Sequence, residues 1–210
     1  MIAQDKTTLD LLDRAAHGDA AARTELLARH RGRLRQMVAV HIDKRLTARF
    51  DASDVVQEAL LDAAKELPEY LRQRPVPFYP WLRQLAWERL VDLHRRHIQA
   101  QKRSVQREEP QAFRLPDESA LELADRLVAR GGSPIAQVLR QEQRDGVRLA
   151  LKRLGERDQQ ILVLRHLEQL SITEIAAVLN IREGAVKTRL LRALLRFRNL
   201  LVEDGKEVES

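Results

Sequence analysis

The chain contains no cysteine, which removes disulfides, thiolate metal sites and cysteine nucleophiles together. Aromatic residues make up only 4% of it, a proportion that suits small helical units better than one large β-rich core. No apolar run approaches the roughly 20 residues needed to cross a bilayer, and the N-terminus lacks the apolar centre of a signal peptide. A cytoplasmic protein without membrane insertion is the expectation. The phosphate-loop, dinucleotide-binding, zinc-protease and nucleophile-elbow motifs are all missing. Acids are scattered over helices instead of being paired in a cleft, so neither an enzyme nor a cofactor is expected. His94 and His97 have a spacing that could hold a metal, but no third ligand lies near them in sequence, and no metal is expected.

What the chain does have is charge. Charged residues are 32% of its 210 residues, the net charge is +6 and the pI is near 10.0. That balance favours a polyanionic partner, and charge alone does not separate nucleic acid from an acidic membrane. The length allows one large or two small domains.

The most informative stretch is LSITEIAAVLNIREGAVKTRLLRALLRFR, residues 170–198. Ser171 followed three residues later by Glu174 is a capping box, in which each side chain satisfies an orphan amide at a helix start. It predicts a helix over 172–179 with Ile172, Ile175 and Leu179 on one apolar stripe. Asn180 tolerates the left-handed conformation that a tight turn needs. A second helix then begins near Glu183, although Arg182 is a poor cap for it. On that helix Val186, Leu190, Ala193, Leu194, Phe197 and Leu201 share a face expected to pack on the first helix. Lys187, Thr188, Arg192 and Arg196 occupy the other side, with Arg189 at its margin. A short capped helix, a tight turn and a longer basic helix are the parts that place a recognition helix in a DNA major groove. The same segment also reads as an ordinary helical hairpin with a solvated basic face. Leu191 and Leu195 point away from the apolar stripe, toward either a thymine methyl or a partner surface.

Upstream, the pattern predicts a helix over 7–16 that stops at Gly18, and another from the Asp19 cap to His30. A further helix is expected over 33–46. Asp51 caps a helix over 52–67, which Pro68 ends. In that helix Val56, Leu60, Ala63 and Leu67 have core spacing, while Asp54, Gln57, Glu58 and Leu61 line a second face. An exposed leucine among acids and amides suits a docking face, or equally a solvated face with one stray apolar residue. Next, Phe78, Tyr79, Trp81 and Trp87 are four of the chain's eight aromatics. On the helix after Pro80, Leu82, Ala86, Leu90 and Leu93 form a buried strip, with Trp87 and Val91 flanking it. Trp87 reads as core. Trp81 lies on the side of Asp92, Arg95 and Arg96, where aromatic faces beside cations suit unstacked bases; core packing explains it as well.

Periodicity weakens after Ile98. A basic QKRSVQR is followed by a stretch with six acids against three arginines, two prolines and a glycine pair, which reads as a linker with one short helix over 119–129. Ser133 and Pro134 then start a long helix to about Leu154. Gly155 breaks it, and a helix over 156–168 leads into the motif. The fold class is therefore all-α: two small helical domains joined by a flexible linker, the C-terminal one containing the helix-turn-helix. The boundaries are 1–100, a linker at 101–132, 133–204 and a tail at 205–210.

The order of these segments resembles a bacterial RNA polymerase sigma factor of the extracytoplasmic-function (ECF) subfamily within the sigma-70 family. The likeness rests on DASDVVQEALLDAA, PWLRQLAWERLVDLHRRH and the block over 151–198. It implies a factor that binds core polymerase and directs promoter recognition, DNA opening and transcription initiation, with an anti-sigma factor or other regulator as a further class of partner. Asp54, Gln57, Glu58 and Leu61 would hold the clamp coiled coil of the largest polymerase subunit. Trp81, Arg89, Arg95 and Arg96 would bind and open the downstream (minus-10) element. Glu183, Ala185, Lys187, Thr188, Arg189, Arg192 and Arg196 would read the upstream (minus-35) element. The acidic linker would run through the polymerase cleft. Glu88 stands where many relatives have Asn, and a carboxylate there repels phosphate. The alternative from another class is a stand-alone helix-turn-helix regulator, which would need a dimer seam or sensor domain. A basic helical scaffold without a DNA role is a third.

Overall fold

The computed structural model describes residues 6–42, 51–102 and 149–207, together with 116, 119–120, 122–123, 126 and 146 between the last two segments. Among the described residues the regular structure is helical, with no strand. Contacts divide the chain into two units that part near Gln111.

Helices α1 (Lys6–Ala16), α2 (Ala20–His41), α3 (Ala52–Gln73) and α4 (Phe78–Lys102) build the first unit. Gly18 adopts φ +94°, a conformation glycine takes at little cost, and this stops α1. Asp19 then caps α2, accepting from the Ala22 amide at 3.0 Å and from Arg14 at 2.8 Å. Leu11, Leu12, Ala15, Leu26, Leu34, Met37, Val56, Ala63, Leu67, Phe78, Leu82 and Leu90 form the core of the unit. Leu60 and Leu93, expected among them, are half-buried.

The limits of α2, α3 and α4 differ from those the sequence predicts. α2 is one continuous helix, not two separated near residues 31–32. Gly32 sits in it with open space around its Cα, and a mid-helix glycine costs only about 1 kcal/mol. Buried His30, Leu34, Met37 and Val38 hold the chain helical on either side. α2 ends at His41 with Ile42 as its extended C-cap, short of the expected 46; residues 43–46 lie outside the described residues. α3 does not stop before Pro68 but runs through it to Gln73. An interior proline costs about 3 kcal/mol, which burial of Leu67 just before it and Tyr70 on the turn after it offsets. The actual stop is Arg74 in the left-handed region (φ 41°), whose amide donates to the Tyr70 carbonyl at 2.7 Å. Its guanidinium donates to the Leu12 carbonyl at 3.2 Å and to Asp13 at 3.0 Å, tying this helix end to α1. α4 starts at Phe78, so Pro80 falls in its first turn, where an amide has no intrahelical partner to lose.

In the second unit, helical residues 149–153 precede α5 (Glu156–His166), α6 (Ile172–Leu179) and α7 (Glu183–Glu207). Gly155 separates the first two as expected and is the N-cap of α5. α5 ends at His166, short of the expected 168, because Gln169 turns into the left-handed region (φ 57°). The core includes Leu151, Ile161, Leu162, Leu164, Leu167, Leu170, Ile175, Val186, Ala193 and Phe197. The described residues between 119 and 126 are helical, and they bury Ser119, Ala120 and Leu123. Arg126 there donates to the His166 carbonyl at 2.7 Å, completing the C-terminal end of α5. Ser133 and Pro134 lie outside the described residues.

Candidate functional site

Three surfaces carry the residues that the sequence singled out. On α3, Asp51 sets the helix start by accepting from the Ser53 amide at 3.1 Å. With Val56, Ala63 and Leu67 turned into the core, the helical repeat places Asp54, Gln57, Glu58 and Leu61 outward, and all four are exposed. Leu61 is 58% accessible, an apolar centre within an acidic and amide surround.

On α4 the sequence-selected residues are more occupied. Trp81 is half-buried and stacks on Tyr70, with ring centroids 4.5 Å apart and 24° between planes. Phe78 lies 5.6 Å away on the same cluster. Burial of Tyr70 in that cluster pushes its hydroxyl up to about 12, and the hydroxyl donates to the Val76 carbonyl at 2.9 Å. Trp87, expected in the core, is half-buried and meets His41 edge-on at 5.0 Å. Arg89 Nε donates to Asp62 on α3 at 2.6 Å. The hydrogen bond from Arg89 holds the Asp62 carboxyl below its ordinary range, and the same bond raises Arg89. Arg95 pairs with Asp92 at 3.0 Å and stays largely in water, as does Arg96. Glu88 is exposed and accepts from Gln84 at 2.8 Å.

The capping box forms on both sides: the Ser171 amide donates to Glu174 at 2.9 Å and the Glu174 amide donates to Ser171 Oγ at 3.2 Å. Asn180 occupies the left-handed region at φ 51°, as the turn requires. Thr173 on α6 donates to Glu183 at 2.7 Å, clasping the two helices across the turn. The apolar face of α7 differs from expectation in its partner, since it packs mainly on α5 and not on α6. Val186, Ala193 and Phe197 are buried, Leu190 and Leu201 half-buried, and Leu194 exposed beside Leu191 and Leu195.

Outward from that packing, Glu183, Ala185, Lys187, Thr188 and Arg192 are all exposed. Thr188 donates back to the Gly184 carbonyl at 3.0 Å. Arg189 and Arg196 turn toward the first turn of α5. Arg189 donates to the Arg157 carbonyl and to Gln160 at 3.4 Å, and loss of solvent lowers its pKa. Arg196 donates to Asp158 at 2.6 Å. Asp62 and Asp158 are the structurally important residues that sequence reasoning passed over. Among the described residues, no group of three or more potential metal ligands comes together, and no helix is long and apolar enough to span a membrane.

The family description Sigma-70 region 2 matches residues 26–99, and Sigma-70, region 4 matches residues 144–197, together more than half of the chain. The ECF RNA polymerase sigma-E factor of Escherichia coli (strain K12) is 28% identical over 184 residues, 87% of this chain and 88% of that protein. The ECF RNA polymerase sigma factor SigW of Bacillus subtilis (strain 168) is 25% identical over 145 residues, covering 68% and 71%. Among solved structures, CnrH in complex with the cytosolic domain of CnrY shares the fold, with a TM-score of 0.53 at 24% identity, over 94% of this chain and 99% of that one.

Proposed function

Since the chain belongs to the sigma-70 family, as an ECF sigma factor of RNA polymerase, we propose a division of its work among the three surfaces above. A sigma factor binds core polymerase and directs promoter recognition, DNA opening and transcription initiation, and is itself no enzyme. The observation that carries this function is the match of regions 2 and 4, in that order, to the two folded units. A stand-alone regulator is not favoured, because region 2 matches much of the first unit.

The exposed face of Asp54, Gln57, Glu58 and Leu61 docks on the clamp coiled coil of the largest polymerase subunit. Its support is the isolation of Leu61 among acids on a helix whose other side is core. Trp81, Arg89, Arg95 and Arg96 lie on the helix that meets the downstream promoter element. Arg95 and Arg96 present exposed charge to phosphate, while Trp81 and Arg89 are held from behind by Tyr70 and Asp62. Strand separation costs a few kcal/mol per flipped base, which capture of unpaired bases on such a surface offsets. Glu183, Ala185, Lys187, Thr188 and Arg192 form the part of the recognition helix open to the upstream element. The acidic stretch between the units passes through the polymerase cleft, and an anti-sigma protein is the expected regulator.

DNA capture with and without core polymerase tests this assignment. The purified chain binds promoter duplex weakly, and addition of core produces tight, sequence-selective binding. Tight operator-like binding by the chain alone, unchanged by core, contradicts it.

A further inference from the structure

Arg189 and Arg196 are seven residues apart on α7, so at about 100° per residue they lie on the same side of the helix. That side borders the buried line of Val186, Ala193 and Phe197. Both guanidiniums bond to one short piece of α5. Arg189 takes the Arg157 carbonyl and Gln160, and Arg196 takes Asp158 at 2.6 Å. Asp158 is only 6% exposed. Releasing Arg196 to a phosphate would leave a buried carboxylate without this charged partner, the most costly way to break such a pair. Arg196 is itself 62% accessible along its side chain, so what sets Lys187 and Arg192 apart is pairing: both are exposed too, but neither forms an ion pair among the described residues.

Resting on the promoter-binding role above, we propose that Arg189 and Arg196 are struts that fix the recognition helix on α5, with Asp158 as the positioning residue that sets its direction. The cations that meet phosphate are then Lys187 and Arg192. Two grips two helical turns apart suppress swivelling of α7 about its buried strip, which a single contact would not do. Asp158 touches no DNA; it acts through Arg196.

Two measurements on the full-length chain test this. The first is binding of a short fluorescein-labelled duplex of random sequence across a salt series, in which each phosphate contact contributes about 0.9 to the log–log slope. Arg192→Gln and Lys187→Gln each flatten the slope by up to about 0.9, and Arg196→Gln leaves it unchanged. An Arg196→Gln slope as flat as that of Arg192→Gln overturns the proposal. The second uses the lack of native cysteine: Glu156→Cys on α5 and Leu191→Cys on α7, both exposed sites, carry a pair of spin labels. Asp158→Asn broadens the label-to-label distance distribution while helical circular dichroism is retained. An unchanged distribution overturns the positioning role. A wild-type salt slope near zero sinks the DNA assignment instead, and the spin-label distances still decide the strut.

Discussion

Replacing Ser171 by alanine removes one half of a reciprocal pair and leaves the Glu174 amide without its 3.2 Å acceptor. The partner bond, from the Ser171 amide to the Glu174 carboxylate at 2.9 Å, survives only in part, since the two bonds fix each other's geometry. Loss of a serine N-cap costs about 1 kcal/mol, within a range of roughly 0.5 to 2. The cost falls on α6, which has eight residues and is far too short to persist without its caps and packing. Its one fully buried residue, Ile175, supplies most of its hold on the core. In a domain of about this size, 1 kcal/mol lowers the melting temperature by about 4 to 8 °C. Differential scanning calorimetry on the full chain therefore shows the transition of the second unit moving down by that amount, with that of the first unit in place. Ser171→Gly costs only a few tenths of a kcal/mol, and Glu174→Ala added to Ser171→Ala costs less than the sum of the two singles. Additive losses, or a Ser171→Ala melting curve identical to wild type, refute the reciprocal cap as the start signal of α6.

Three further outcomes follow from the site geometry. Asp54→Lys with Glu58→Lys weakens attachment to core polymerase at least tenfold (about 1.4 kcal/mol or more); both side chains are exposed, so the unit stays folded, its transition lowered only by the roughly 1 kcal/mol that a lysine costs in the first turn of α3; co-purification with core measures it. Asp62, whose carboxyl the Arg89 hydrogen bond holds below the ordinary value of 3.8, contributes stability that is present above that value and is lost as pH falls through its folded-state pKa. Denaturant melts below pH 4 show this acid loss in the wild type and a smaller one in Asp62→Asn. Tyr70, raised by burial from 10.0 to about 12, ionises late as pH climbs, and stability declines across that interval. Ultraviolet tyrosinate absorbance should show a late step that accompanies loss of the fold, and Tyr70→Phe reduces its amplitude by one tyrosine.

What sequence alone made legible was local chemistry. Asp19, Asp51 and the Ser171/Glu174 pair each announced a helix start, and each makes the bond expected of it. Asn180 announced a left-handed turn, and the alternation of core and exposed positions on α3 follows from helical spacing alone. Punctuation was less secure. Gly32 and Pro68 are breakers by intrinsic preference, yet both sit inside helices whose neighbouring residues are buried strongly enough to outweigh them. Long-range pairing was not legible at all. Asp62 and Arg89 are 27 residues apart, and Asp158 and Arg196 are 38 apart, with no pattern of spacing to connect them. That is why nothing in the sequence signals that Arg89, Arg189 and Arg196 are each hydrogen-bonded to a neighbouring helix.

Run-off transcription by purified core polymerase, supplied with this chain and a broad promoter library, tests the central claim most directly. The sigma-factor account predicts that the chain confers initiation from a subset of promoters sharing two spaced elements, with no ATPase partner required, and that Asp54→Lys with Glu58→Lys abolishes it. Active core that initiates on none of the library when the folded chain is present contradicts the account.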